Sequence, residues 1–390
     1  MAANKPKKKQ ALRNNEYYNT QALFDDLYER SQRGESFTHL MELIASEQNI
    51  LLAYRAIKKN KGSKTKEANS TTIVEVGEKQ PEELIAYVRK RLQNFYPHAV
   101  RRVEIPKPDG RMRPLGIPTM EDRIIQQCIK QVLEPICEAK FYKHSYGFRP
   151  NRSAHHAIAR AMFLVNISKY LYVVYVDIKG FFDNVDHGKL LKQLWTLGIR
   201  DKQLLCVLSK MLKAPIQGEG VPTKGVPQGG ILSPLLSNVV LNELDWWISS
   251  QWGTFPTKTN YTHDLSRYQN LRRTSRMKEI FIVRYADDFK LFCKCRSDAV
   301  KIFAAATMWL KERLGLEIPL DVPVGTLSAG VQQSIEILRA FATEPRLLVL
   351  DEPTASLGER EIVPFLHFVE ELRTRMEIAV IFISHKLDEV

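Results

Sequence analysis

Two adjacent aspartates, Asp287 and Asp288, interrupt an apolar stretch, Phe281-Ile282-Val283-Arg284-Tyr285-Ala286-Asp287-Asp288-Phe289-Lys290-Leu291-Phe292. The flanking runs are β-branched and aromatic, so they form two strands and leave the acids in the tight turn of a hairpin. Folding alone gives a poor account of neighbouring carboxylates at such a tip, because like charges repel unless a cation lies between them. A third acid, Asp177, closes another strand-like run, Leu171-Tyr172-Val173-Val174-Tyr175-Val176. Each aspartate taken singly reads as a turn residue. Together they read as a site for two metal ions.

Phosphodiester formation has the matching requirement: a 3′ hydroxyl made nucleophilic and a triphosphate whose leaving oxygens are neutralised. Two Mg²⁺ ions about 3.5–4 Å apart supply both, and they demand hard oxygen ligands from separate strand ends. Asp177 and Asp287 are the expected bridging ligands, with Asp288 in support and the Ile178 carbonyl as an extra oxygen.

The charge distribution points the same way. Six of the 57 basic and twelve of the 44 acidic residues follow position 318. Residues 1–318 therefore carry 51 basic against 32 acidic groups, a net +19, and the remainder nets −6. A basic body of that size suits a polyanion, with nucleic acid ahead of an anionic membrane surface. The five cysteines, Cys128, Cys137, Cys206, Cys293 and Cys295, have neither a disulfide framework nor a zinc spacing. They are expected to be reduced, in a cytoplasmic chain. Lys5, Lys7, Lys8 and Lys9 precede no apolar stretch, so they read as a solvated tail and not as a signal peptide. No apolar run approaches the roughly 20 residues of a membrane span.

Along the chain, helical periodicity covers residues 16–59, and a charged loop follows from Lys58 to Thr72. A helix is expected over Pro81–Phe95, with Pro81 first and Glu82 and Glu83 in its first turn. Val100–Ile105 and Arg113–Ile117 read as strands around the turn Pro106-Lys107-Pro108-Asp109-Gly110-Arg111. Helices are expected over Glu121–Phe141 and Ala154–Val165, and from Ser233 through Trp247 with Ser233 as cap and Pro234 first. Gln251–Lys278 reads as an irregular surface excursion.

Three ordered stretches carry a family resemblance. Asp177-Ile178-Lys179-Gly180-Phe181-Phe182-Asp183, Gln228-Gly229-Gly230-Ile231-Leu232-Ser233-Pro234 and Tyr285-Ala286-Asp287-Asp288 resemble motifs A, B and C of reverse transcriptases. More narrowly, they resemble the group II intron-encoded reverse transcriptase/maturase family. Ile105 through Pro118 and Tyr146-Gly147-Phe148-Arg149-Pro150 match that family's fingers, and the likeness runs over about residues 40–316. The resemblance implies that Lys107 and Arg113 clasp the incoming triphosphate. It implies that Phe182 blocks a ribose 2′ hydroxyl, selecting dNTPs, and that the Gln228–Gly229 loop positions template and nucleotide. The implied partners are an RNA template, intron RNA, a DNA primer or target, and dNTPs. The Gly-rich turn near the start of the family's palm is altered here, Asn60 to Ala68, and the pattern stops near Gly315-Leu316-Glu317, so no thumb is expected.

The last seventy or so residues resemble something else. Leu327-Ser328-Ala329-Gly330-Val331-Gln332-Gln333 is similar to the signature motif of ABC-transporter ATPases, with Ala329 in place of the commoner glycine. Arg346 through Thr354 is similar to their Walker B strand, and Ile383-Ser384-His385-Lys386-Leu387 to their switch histidine. Ser328 would cap a helix facing a phosphate. Asp351 would reach Mg²⁺ through water, Glu352 would polarise the attacking water, and Gly330 and Gln332 complete the signature. No Gly-x4-Gly-Lys-Ser/Thr loop occurs in the 390 residues, so this part is not expected to bind or hydrolyse ATP by itself.

The expected architecture is α+β: a basic tail and helical region over 1–80, fingers over 81–170 and a palm with an antiparallel sheet over 171–316. A partial α/β ATPase fragment follows over 319–390. The expected function is RNA-directed DNA polymerisation by two-metal transfer of dNTPs onto a primer, limited by the missing thumb. The alternatives are an intron-RNA-binding maturase module that does not polymerise, and an inactive chimera.

Overall fold

The computed structural model describes residues 18–59, 73, 76, 80–106, 112–176, 178–316, 347–351, 353–354, 362, 366–367, 369–370 and 379–383. They fall into two compact units, one within residues 1–318 and one within 319–390.

In the first unit, α1 (Gln21–Gln32), α2 (Leu40–Ile44), α3 (Glu47–Lys58) and α4 (Pro81–Gln93) precede a hairpin of β1 (Arg101–Pro106) and β2 (Met112–Ile117). The long α5 (Met120–Glu138) leads to α6 (Ala154–Met162), whose end widens into a π turn over Phe163–Ile167. Next come β3 (Tyr172–Val176), α7 (Phe181–Asn184), α8 (His187–Thr196), α9 (Lys202–Leu212), α10 (Ser233–Ser250) and α11 (Asp264–Thr274). The unit closes with β4 (Ile280–Tyr285), β5 (Asp288–Cys293) and α12 (Arg296–Trp309).

Local chemistry explains the central helices. The Thr119 side chain accepts a hydrogen bond from the Asp122 N–H and starts α5, with Glu121 and Asp122 in its first turn. Ile124, Ile125, Cys128, Ile129, Val132, Leu133 and Ile136 recur at helical spacing and are all buried, the face that packs on α1 and α3. Asp186 and Asp201 cap α8 and α9 in the same way. α10 differs, being buried on most of its circumference.

β3, β5 and β4 form one antiparallel sheet in that order. Val176 stands opposite Phe289 at one end and Tyr172 opposite Cys293 at the other. Ile280 to Arg284 are buried on both faces of β4. Ile280 and Ile282 join the main core, while Phe281 and Val283 join a second cluster with Tyr146, Leu164, Tyr170, Trp252 and Leu271. The period of two puts Arg284 on the main-core side.

Two expectations change. Ser233 is the first residue of α10, not its cap, and its hydroxyl donates to the Pro227 carbonyl at 2.6 Å. The stretch read as irregular, 251–278, holds α11, and Trp252 and Leu271 within it are core residues of the second cluster. Polar composition hid that helix because it buries only one side chain, Leu271.

In the second unit β6 (Leu347–Asp351) and β7 (Ala379–Ile383) pair in parallel, Leu347 opposite Ala379 and Asp351 opposite Ile383. Ile381 and Ile383 of β7 are about half-exposed, 48% and 47%, whereas strands of a parallel sheet are normally covered on both faces. No helix among the described residues is long and apolar enough to cross a membrane.

Candidate active site

The β4–β5 hairpin closes on the pair Tyr285 and Asp288, which leaves Ala286 and Asp287 as its turn. Ala286 has φ +59°, a left-handed conformation that costs a non-glycine residue roughly 1–2 kcal/mol. Asp287 is half-buried in the turn, and Asp288, the first residue of β5, is exposed. The Tyr175 hydroxyl donates to Asp288 Oδ1 at 3.1 Å, and Lys290 Nζ lies 4.9 Å from the Tyr175 ring centroid. Asp177 lies outside the described residues. Its neighbours Val176 and Ile178 are both buried, and Val176 pairs with the residue that follows Asp288.

The strained turn is held from two sides. Arg284, wholly buried, donates to both oxygens of the equally buried Asp245 through Nε (2.9 and 3.0 Å) and through Nη2 (2.7 Å). Its Nη1 donates to Asn238 Oδ1 at 2.9 Å and to the Ala286 carbonyl at 2.6 Å. Asn238 and Asp245 both belong to α10, and Asn238 Nδ2 donates in turn to the Gly147 carbonyl at 2.9 Å. Removing one partner of such a buried pair costs about 3–5 kcal/mol, because the other charge is left stranded.

From the other side, residues 144–147 run along β4. The Arg284 N–H donates to the His144 carbonyl at 3.1 Å and the Tyr146 N–H to the Arg284 carbonyl at 2.9 Å. A Cβ on Gly147 would stand 2.1 Å from the Ala286 nitrogen, so only glycine lets the two backbones meet. Next to this contact the His144 imidazole bonds the Tyr146 hydroxyl at 3.0 Å. Burial, with the cations Arg160, Lys143 and Arg152 around it, pushes that imidazole down to about 3.

The residues expected to handle the nucleotide meet on a second backbone junction. The Val226 N–H donates to the Phe182 carbonyl at 2.7 Å, and the Gly116 N–H of β2 donates to the Gln228 carbonyl at 2.6 Å. Gly229 has φ +107°, and a Cβ there would stand 2.9 Å from the Gly116 carbonyl oxygen. Gln126 Oε1 accepts from the Ile231 N–H at 2.8 Å and fixes the loop's far end. Phe182 is half-buried, its ring edge-on to Phe181 at 5.2 Å. The strand carrying Arg113, the Gln228–Gly229 loop and the Phe182 turn are thus joined by main-chain hydrogen bonds. Lys107 and the Arg113 side chain lie outside the described residues. α10 links the two halves: the loop feeds its first turn, and its Asn238 and Asp245 hold the Asp287 turn.

Among the described residues no three metal-ligating side chains cluster. The two acids at the hairpin tip present hard oxygens, the donor type Mg²⁺ takes. Of the residues matched to ABC ATPases, Ser328, Gly330, Gln332, Glu352 and His385 lie outside the described residues, as does the side chain of Asp351, the last residue of β6.

Sequence reasoning missed Arg284, Asp245, Asn238 and the contact made by Gly147. A signal existed for two of them. Arg284 falls at the core-facing parity of an apolar strand, and Asp245 sits within an apolar helix, so each charge required a buried partner.

Residues 105–321 match the family described as Reverse transcriptase (RNA-dependent DNA polymerase). The protein YkfC of Escherichia coli (strain K12) is 36% identical over 213 residues, 52% of this chain and 56% of that protein. The group II intron-encoded protein LtrA of Lactococcus lactis subsp. cremoris is 32% identical over 341 residues, 77% of this chain and 55% of LtrA. The chain thus spans about half the length of these relatives. Over 90 residues it is also 42% identical to the xylose import ATP-binding protein XylG of Moorella thermoacetica, covering 23% of this chain and 18% of XylG. Two unrelated likenesses are joined in one polypeptide.

Proposed function

The chain belongs to the reverse transcriptase (RNA-dependent DNA polymerase) family, and we propose that its first unit is the fingers and palm of a group II intron-type enzyme that copies RNA into DNA. Asp177, Asp287 and Asp288 would hold two Mg²⁺ ions, with the Ile178 carbonyl as a further ligand. When bound, those ions lower the pKa of the primer 3′ hydroxyl and neutralise the leaving phosphates. The protein's part is placement. Lys107 and Arg113 clasp the triphosphate by charge-assisted hydrogen bonds. Phe182 stands where a ribose 2′ oxygen would go, and the Gln228–Gly229 backbone lies along the templated base pair. The 3′ oxygen gives up its proton to solvent water and bonds the α-phosphorus, the bond from that phosphorus to the bridging oxygen of the β-phosphate breaks, and pyrophosphate leaves.

The observation that carries this reading is α10, which anchors both the acid turn and the loop expected to position the nucleotide. Purified protein should extend an oligo(dT) primer on poly(rA) with dTTP and Mg²⁺, and Asp287→Ala should lower the rate by about 10³-fold or more. Undiminished activity in that variant would rule the site out.

The net +19 of residues 1–318 supports a second reading, a maturase-like module that holds intron RNA without polymerising. It predicts structured-RNA binding that weakens steeply with salt, is untouched by Asp177→Asn, and is accompanied by no DNA synthesis.

A further inference from the structure

We propose that Arg284, braced by Asp245 and Asn238, is a positioning residue that sets the direction of the Asp287 carboxylate; the inference rests on the polymerase reading of the hairpin. A charged pair is not needed merely to join β4 to α10, since well-packed apolar residues of similar volume join buried elements as well or better. What an apolar pair cannot do is reach a carbonyl. The two N–H groups of Arg284 Nη1 meet two acceptors, Asn238 Oδ1 at 2.9 Å and the Ala286 oxygen at 2.6 Å. The rest of the fork is committed to Asp245.

The Ala286 oxygen belongs to the peptide plane whose nitrogen is that of Asp287. Because the peptide is planar, holding this oxygen fixes the plane from which the Asp287 side chain departs. The Gly147 backbone meets the same turn residue, a Cβ at 147 falling 2.1 Å from the Ala286 nitrogen. Asn238 bonds Arg284 Nη1 with its oxygen and the Gly147 carbonyl with its nitrogen, so one side chain of α10 ties both grips together. Without the guanidinium, the Ala286 carbonyl loses this side-chain donor, and the left-handed turn is free to relax.

The decisive variant removes both charges at once, Arg284→Met with Asp245→Leu, so that neither is stranded. Three properties are measured on the whole chain: primer extension, Mn²⁺ affinity by electron paramagnetic resonance, and binding of a structured RNA. The expected result is a folded protein with RNA binding within twofold of wild type. Its kcat falls at least tenfold and its Mn²⁺ affinity falls at least tenfold. A folded double variant whose kcat and Mn²⁺ affinity both lie within tenfold of wild type overturns the proposal, because the pair is then only a strut. Should the double variant fail to fold, Asn238→Ala takes its place: a threefold or larger fall in kcat at unchanged KM for dTTP supports the proposal, and a smaller one overturns it. If the wild type itself makes no DNA, the polymerase reading falls, and the Mn²⁺ comparison alone then decides the clamp by the same tenfold limit.

Discussion

Two hairpins of the first unit, each ending in residues to which the proposed function gives a chemical task, differ in burial. β4–β5 is buried along β4, closes on a two-residue turn and is pinned by Arg284 and Gly147. β1–β2, which carries Arg113 and leads to Lys107, becomes progressively exposed, with Ile105 45% and Met112 49% accessible where it nears its tip. Among the described residues its anchors lie at the inner end, where the Gly116 N–H donates to the Gln228 carbonyl and Arg102 donates to both carboxylate oxygens of Glu219. Metal ligands must keep one geometry through every cycle, whereas residues that grasp a triphosphate must admit it and release pyrophosphate. The fold buries the first hairpin along β4 and leaves the described outer residues of the second exposed.

Substitutions should separate the two. The largest effect is expected from Gly147→Ala, which drives a methyl group into the Ala286 backbone. It should cost about 3 kcal/mol of stability in a denaturant titration and depress primer extension more than tenfold. A silent Gly147→Ala would mean that the acid turn tolerates displacement and that the contrast is false.

On the open hairpin, Arg113→Ala should leave the melting temperature unchanged yet raise the KM for dTTP about 10–100-fold, the loss of one charge-assisted contact of about 1.5–3 kcal/mol. A fall in melting temperature without a change in KM would make Arg113 structural.

The last effect, on stability alone, concerns His144, beside the acid turn. Its folded value of about 3 lies below the ordinary 6.5, so the unfolded chain binds the proton more readily. The stability it contributes is complete well above pH 6.5 and drains away as the pH falls from about 6.5 towards 3. Between pH 7 and pH 5 the loss should be about 2 kcal/mol, and His144→Phe should flatten that part of the stability profile.

Much of this was legible in the chain. Alternating and β-branched runs located β1 to β5, and Asp287 and Asp288 announced a hairpin tip by their improbable adjacency. The resemblance added Phe182, Gln228 and Arg113, which the fold joins through Val226 and Gly116. The clamp was not legible, because Arg284 and Asp245 are 39 residues apart and no local rule pairs them. Gly147 looked like part of a fingers motif, and only the meeting of two backbones reveals why it carries no side chain. Ser233 resembled a cap, but the carbonyl of Pro227 claimed its hydroxyl.

The second unit offers the complementary lesson. Its ATPase-like motifs are as recognisable as those of the first unit, but its parallel pair leaves Ile381 and Ile383 half-exposed.

Crystals of the protein soaked in Mn²⁺ and measured at the manganese absorption edge test the central claim most directly. Two anomalous peaks about 3.5–4 Å apart, bridged by Asp177 and Asp287, are the expected result. No manganese at Asp287, or an Asp177 carboxylate more than ~10 Å from it where a bridge spans about half that, would contradict the account.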